Sequence, residues 1–354
     1  MTSSNRPLAA ALAAALSAAL AVGAPPLAAQ SPPPAGPGVP GLTGTLVVTN
    51  KSPATATIID VASGRALATL PTGQGPHEVV LSADGRTAVV TDYGARENGS
   101  TLTVIDVPGM RVVRTIPLGQ YTRPHGIAFL PGDSLVAVSS ETSQHVVIVA
   151  VGAGAVRRAI PTRHQGSHMV AVVGDGARGY TGDIGSNTVT ELDLRAGTYV
   201  RSWDVPTQPE AINVTPDGAE VWVGSNQTGK VSVVDPRAGT VTTAAEGFGW
   251  PYRILFTPDV RTVLMPDMRR EELRFVERSS RRELGRIPLP GAGPQGITVT
   301  PDGRHAFLSL STQGRVAIVD VAGRRVVGHI AAGDTPDGVV YSPRVVAGAV
   351  RKEP

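Results

Sequence analysis

Cysteine is absent from the 354 residues. That excludes disulfides, thiolate metal sites, C-x-x-C-H haem attachment and a lipid-modified cysteine. Aromatic residues make up only 4% of the chain, too few for a run of stacking platforms of the kind single-stranded nucleic acid uses. The net charge of +3 is small, and by itself it points to neither nucleic acid nor an anionic surface. After the first thirty residues no apolar run is long enough to cross a bilayer. The sequence contains no G-x-S-x-G, phosphate-binding loop, H-E-x-x-H or cysteine nucleophile, and no stretch keeps a helical period.

What is abundant is turn chemistry, with 41 Gly and 30 Pro. The N-terminus reads as an export signal over residues 1–29: a polar start with Arg6, the apolar core Leu8–Val22, and small residues at Ala28 and Ala29. Fifteen apolar residues suit a cleaved signal better than a membrane anchor, which is the alternative reading. Residues 30–42, rich in Pro and Gly, read as an extended linker. The expectation is a soluble, monomeric, periplasmic or secreted protein with no membrane span after cleavage and no role in nucleic-acid binding.

The rest of the chain repeats. A dipeptide anchor recurs at Pro76-His77, Pro124-His125, Ser167-His168, Pro209-Glu210, Pro251-Tyr252, Pro294-Gln295 and Pro336-Asp337, at spacings between 42 and 48 residues. After each anchor comes a short apolar strand, then a turn that is clearest in TPDG (215–218 and 300–303) and SADG (82–85). Aspartate tolerates the third turn position, and glycine supplies the positive φ that returns the chain to the sheet. Two further apolar segments and a fourth strand complete the unit. Four strands in about 42 residues is the signature of a propeller blade. The seventh anchor is followed by one strand only, and residues 45–50, 56–61 and 65–70 supply three more. The expected fold is therefore all-β: a seven-bladed β-propeller over 43–343, with four antiparallel strands per blade. One C-terminal strand joining three N-terminal strands closes it, and 344–354 form a tail.

These units resemble the YVTN-type β-propeller repeat, with its anchor, S/TPDG turn, aliphatic V-x-V-I-D strand and closing I-x-x-G. The resemblance covers Thr43–Pro343. It implies the fold and no single activity. Proteins of this type include surface-layer and periplasmic proteins, and similar propellers form the heavy subunit of quinone-dependent amine dehydrogenases and some lactonase-like enzymes.

In such a fold the seven anchor residues ring one mouth of the central channel: His77, His125, His168, Glu210, Tyr252, Gln295 and Asp337. The ends of the second strands are expected at the same mouth, bringing Asp92, Asp183 and Asp267. Three histidines on consecutive blades followed by Glu210 form a donor set that zinc, copper or iron accepts. The plainer reading is that histidine is tolerated at a polar strand start. Glu78 follows His77 directly, and strand alternation is expected to turn it away from that mouth. The first blade carries an enlarged loop, Asp92–Thr101, expected to overhang the mouth and offer Tyr93, Arg96 and Glu97 to a ligand or partner. The fifth blade interleaves seven arginines between Arg269 and Arg286 with four glutamates, which reads as a salt-bridged outer face, with a basic docking surface as the alternative.

Three functions remain open. The leading one is a binding or interaction protein that takes a small ligand, metal or protein partner at the mouth. The second is a metal-dependent hydrolase of lactonase type using His77, His125, His168 and Glu210. The third is an accessory subunit of a periplasmic redox system, which would need a partner for its electron chemistry.

Overall fold

The computed structural model describes residues 39–346. The export signal, most of the linker and most of the tail lie outside the described residues. The described chain folds as seven four-stranded antiparallel sheets with one short 3-10 turn, Ser311–Gln313. Blades are numbered here from the first anchor, so that blade 1 runs from Pro76 to Pro117 and blade 6 from Pro294 to Ala331. Blade 7 combines Pro336–Ser342 with Thr45–Asn50, Thr55–Asp60 and Arg65–Pro71, in that spatial order. The three N-terminal strands fall within one residue of the positions read from the sequence.

Each strand owes its place to its pattern. Second and third strands are aliphatic and buried almost throughout: Val136–Ser140 and Val146–Ala150 in blade 2 are buried at every residue. Outer strands alternate towards water, as in Arg111–Pro117. Between neighbouring sheets lie continuous apolar layers, for example Val89, Leu102 and Ile116 against Val136, Val138 and Val147. The turn aspartates act locally: Asp217 accepts from the Thr215 hydroxyl at 2.6 Å and the Ala219 N–H at 3.1 Å. The third-strand aspartates do the same, Asp235 capping the N–H groups of Arg237 and Ala238 at 2.8 Å each.

The innermost strands are pressed close together. A Cβ on Gly338 would sit 2.5 Å from the His77 carbonyl oxygen, and one on Gly126 would sit 2.4 Å from the Val170 nitrogen. Only glycine permits this approach of one blade's backbone to the next. At the start of each innermost strand the pairing slips: Pro76 opposes Asp92, yet Val79 opposes Val90. The same irregularity recurs at Pro124/Ile127, Ser167/Met169, Pro209/Ala211, Pro294/Ile297 and in the closing strand. Such a bulge leaves a residue outside the ladder and locally breaks the two-residue alternation.

The arginines of blade 5 are largely consumed by salt bridges. Arg274 reaches Glu283 at 2.5 Å, Arg286 reaches Glu272 at 3.2 Å and Glu283 at 2.8 Å, and Arg278 and Arg281 reach Glu220 of blade 4 at 3.2 and 2.8 Å. Arg281 also covers the Trp222 ring at 4.6 Å. The patch ties blade 5 to blade 4.

Ring closure rests on the pairing of Thr45–Asn50 with Pro336–Ser342, register Thr45 to Ser342 through Asn50 to Pro336. Side chains reinforce it, with Gly333 N–H donating to Asn50 at 2.9 Å and Tyr341 OH donating to the Thr43 carbonyl at 2.7 Å. Deleting residues 335–342 exposes two blade faces and an unpaired strand edge, so the truncated protein is expected to melt at least ~10 °C lower. Equal melting temperatures by circular dichroism would contradict this closure.

Candidate functional site

The bulges decide what faces the axis. In blades 1 and 5 both residues after the anchor's first position reach the channel, His77 with Glu78 and Tyr252 with Arg253. His77 lies at the mouth, and Glu78, expected to point elsewhere, forms a buried ion pair with Arg253 of blade 5. Pairing residues from blades 1 and 5, this contact spans the channel.

The three histidines meet as a stack. His77 and His125 have ring centroids 4.9 Å apart at 67°, and His125 and His168 are 3.7 Å apart at 34°. Tyr93 extends the stack, 4.4 Å from His77, with its edge geometry towards His125 at 5.2 Å. The Arg123 guanidinium lies 4.6 Å over the Tyr93 ring. Arg96 and Glu97, further along that hairpin, are exposed.

Each histidine has a different electrostatic state. His77 donates its Nδ1–H to the Gly75 carbonyl at 2.9 Å, and burial lowers its pKa to about 4. His125 contacts the Met169 sulfur at 3.2 Å; burial, then the charge on His168, holds it well below the ordinary value. Burial acts on His168 in the same direction, but two carboxylates outweigh it and raise its pKa to about 9. Glu141 accepts from its Nδ1 at 2.7 Å, and Glu210 lies 3.8 Å from its Nε2. Glu141 also takes the Tyr93 hydroxyl at 3.1 Å. His168 is therefore an imidazolium held by two anions at one end of the stack, with the neutral His125 against it and the neutral His77 beyond.

The far side of the ring is tied across the axis. Asp337 takes a hydrogen bond from Tyr252 OH at 3.2 Å and pairs with Lys51 at 3.0 Å. Burial would raise its pKa, and Lys51 and Arg253 hold it below the usual carboxylate range. Gln295 donates its amide N–H to the Met268 sulfur at 3.4 Å, and Asn226 donates to Glu210 at 2.7 Å.

The structure separates the expected mouth residues into two sets. His77, His125, His168, Glu210, Tyr252, Gln295, Asp337 and Tyr93 surround the axis. Asp92, Asp183 and Asp267 instead have their carboxylates satisfied inside the blades. Asp92 accepts from Thr101 and Thr103 and from the Gly73 N–H; burial raises its pKa to about 6. Asp183 accepts from Ser167, Thr181, Thr188 and Thr190, and Asp267 from the N–H groups of Gly249, Trp250 and Arg270. These groups pin the second strand to the third strand or to the segment entering the anchor, so they brace the mouth from behind.

The residues that contribute to the mouth from the second strand lie one position further on: Lys51, Tyr93, Glu141, Asn226 and Met268. Of these only Tyr93 was anticipated. Arg253 was also missed, although its signal was available: the slot after the anchor reads Glu, Gly, Met, Ala, Arg, Gly, Gly around the ring, and a lone Glu and a lone Arg in one slot invite pairing across it.

A metal would need several nitrogens aimed at one point. Here the His125 and His168 rings are tilted by 34° with centroids 3.7 Å apart, and two carboxylates raise the His168 pKa to about 9. Among the described residues no three His, Cys, Asp or Glu side chains group as a ligand set.

No family model matches the chain, and no curated protein matches it. Among solved structures it is similar to a chain of hydrazine synthase from Kuenenia stuttgartiensis, with a TM-score of 0.69 and 18% identity over 79% of this chain and 93% of that one. At that identity the likeness establishes the seven-bladed propeller and leaves the chemistry to the site.

His168 is charged below about pH 9 in the fold, but only below 6.5 when unfolded. Its contribution to stability is thus fully present below pH 6.5 and is lost as pH rises through about 9. The gap in melting temperature between wild type and His168→Gln is expected to be widest near pH 6 and to shrink by about pH 9.5. A gap that stays constant over that range would show that no charged His168 is present.

Proposed function

We propose that the protein is an exported propeller of the YVTN repeat type that binds a small polar molecule at the histidine mouth. One observation carries this reading. Four polar atoms on consecutive blades are buried without a hydrogen-bond partner: His168 Nε2, Asn226 Oδ1, Arg253 Nε and Gln295 Oε1. Leaving such an atom unpaired costs roughly 1–3 kcal/mol each, and folded proteins keep few of them. Asp183, in the same blade as His168, is by contrast satisfied by four hydroxyls, while the two other unpartnered buried atoms among the described residues, Trp250 Nε1 and Ser309 Oγ, lie outside this set.

Two of the four atoms donate and two accept, beside an imidazolium with carboxylates on either side. The complementary ligand is small, polar, and carries both donors and acceptors. All four atoms are occluded, so binding involves rotation of the Gln295 and Asn226 amides towards the ligand.

The reading separates stability from function. Gln295→Met removes an unpaired acceptor and keeps the side-chain volume close to that of the original. This variant is expected to melt at or above the wild-type temperature and to lose at least about tenfold in affinity for any small polar compound that stabilises wild type in a thermal-shift screen. A variant that is clearly less stable, or a screen in which wild type responds to nothing, would count against it. Elemental analysis of the same preparations tests the competing hydrolase: a stoichiometric transition metal, lost in a His125→Ala/His168→Ala double variant, would favour metal-dependent chemistry at this mouth.

A further inference from the structure

Below the Glu78–Arg253 pair the central channel widens into a cavity of about 330 Å³, lined by the innermost strands of all seven blades. The mouth lies on one side of the pair, since His77 and Tyr252 each precede a member of it, and the cavity lies on the other. Most of the side chains that line it are aliphatic, with Val80, Ala128, Leu255 and Val340 only partly buried there, but a large share of the exposed lining is polar: Asn213 and Thr298 are the two uncharged polar side chains among them, and Glu78 and Arg253 the two charged ones. Both Asn213 groups are already used, one donating to the Ile254 carbonyl at 2.9 Å and the other accepting from Val214 N–H at 2.8 Å.

A cavity of this volume walled mainly by aliphatic side chains, with a few polar groups among them, is the ordinary composition of a small-molecule pocket. The roof is a matched ion pair, so it carries no net charge to attract a ligand ion, and the Arg253 Nε beside it is buried and unpartnered.

We propose that this channel is a second ligand site, for a neutral amphiphile of roughly ten heavy atoms: an alkyl or aryl body between the seven inner strands and one hydrogen-bond acceptor directed at the roof. It enters from the face opposite the histidine mouth. The Glu78–Arg253 pair lies between the two sites; both readings draw on the unpartnered Arg253 Nε, and Gln295→Met, which touches only the polar site, tells their failures apart.

The probes are 1-hexanol, hexanamide and hexanoate, measured by calorimetry on the mature protein, together with xenon-pressurised crystals. The two neutral compounds are expected to bind one to one and saturably, and hexanoate more weakly, because Glu78 already occupies the guanidinium. Ala128→Phe and Thr298→Phe, which fill the channel from two different blades, are expected to weaken hexanol by at least about tenfold, whereas Gln295→Met leaves it unchanged. Xenon is expected between Val80, Ala128 and Val340. The proposal is overturned if wild type shows no saturable hexanol binding, if both Phe variants bind it as wild type does, or if xenon settles elsewhere. Should neither Phe variant fold, the xenon position in wild-type crystals decides.

Discussion

The pairing of the first described strand with the last is the constraint on which everything else depends. Thr45–Asn50 and Pro336–Ser342 come from opposite ends of the chain, and their ladder converts an open row of sheets into a ring. The mouth exists only in the closed form. Asp337 belongs to the last strand and Lys51 directly follows the first, and they meet in an ion pair at the axis. The carboxylate is fully buried, so it is tolerable only because Lys51, Tyr252 and Arg253 all face it. Closure and the electrostatics of the mouth are thus held by some of the same atoms.

Within the mouth, charge is distributed by competition. Three imidazoles in contact cannot all be protonated. Glu141 and Glu210 concentrate the proton on His168, and that charge in turn helps keep His125 neutral. The result is one fixed cation between two anions, with neutral aromatic surface running from His125 through His77 to Tyr93. Behind this layer the aspartates of the second strands are saturated by hydroxyls and backbone N–H groups. A rigid, satisfied frame therefore carries a facing layer whose polar atoms are incompletely paired, the division of labour expected of a scaffold that presents a site.

The fold was legible because a single chemical grammar is written seven times. Anchor, Asp-Gly turn and aliphatic strand each have a local physical cause, and their period leaves little choice of architecture. The histidine cluster was legible for the same reason, since residues in one slot of a repeat share one place in the ring. What could not be read was register at the axis. Placing the ends of the second strands at the mouth brought Asp92, Asp183 and Asp267 there, whereas the residue one position further on is the one that faces it; strict alternation turned Glu78 away, and the bulge at the head of its strand reverses that, because a bulge depends on how two strands pair and not on the residues of either alone. Glu141, Lys51 and Arg253 were missed for a related reason: their importance lies in what they face across blades, far away in sequence.

The late arrival of the closing strand also bears on how the molecule comes into being. Thr45 and Arg344, hydrogen-bonded in the finished ring, are separated by 299 positions along the chain. Throughout synthesis the edge of Thr45–Asn50 stays without its partner, an aliphatic edge open to any passing strand. Contacts of such long range also place assembly among the slow topologies. The blades between can form from neighbouring residues as they emerge, so the last step left to the nascent protein is a docking event, and the interval before it is when a cell would have most reason to shield it.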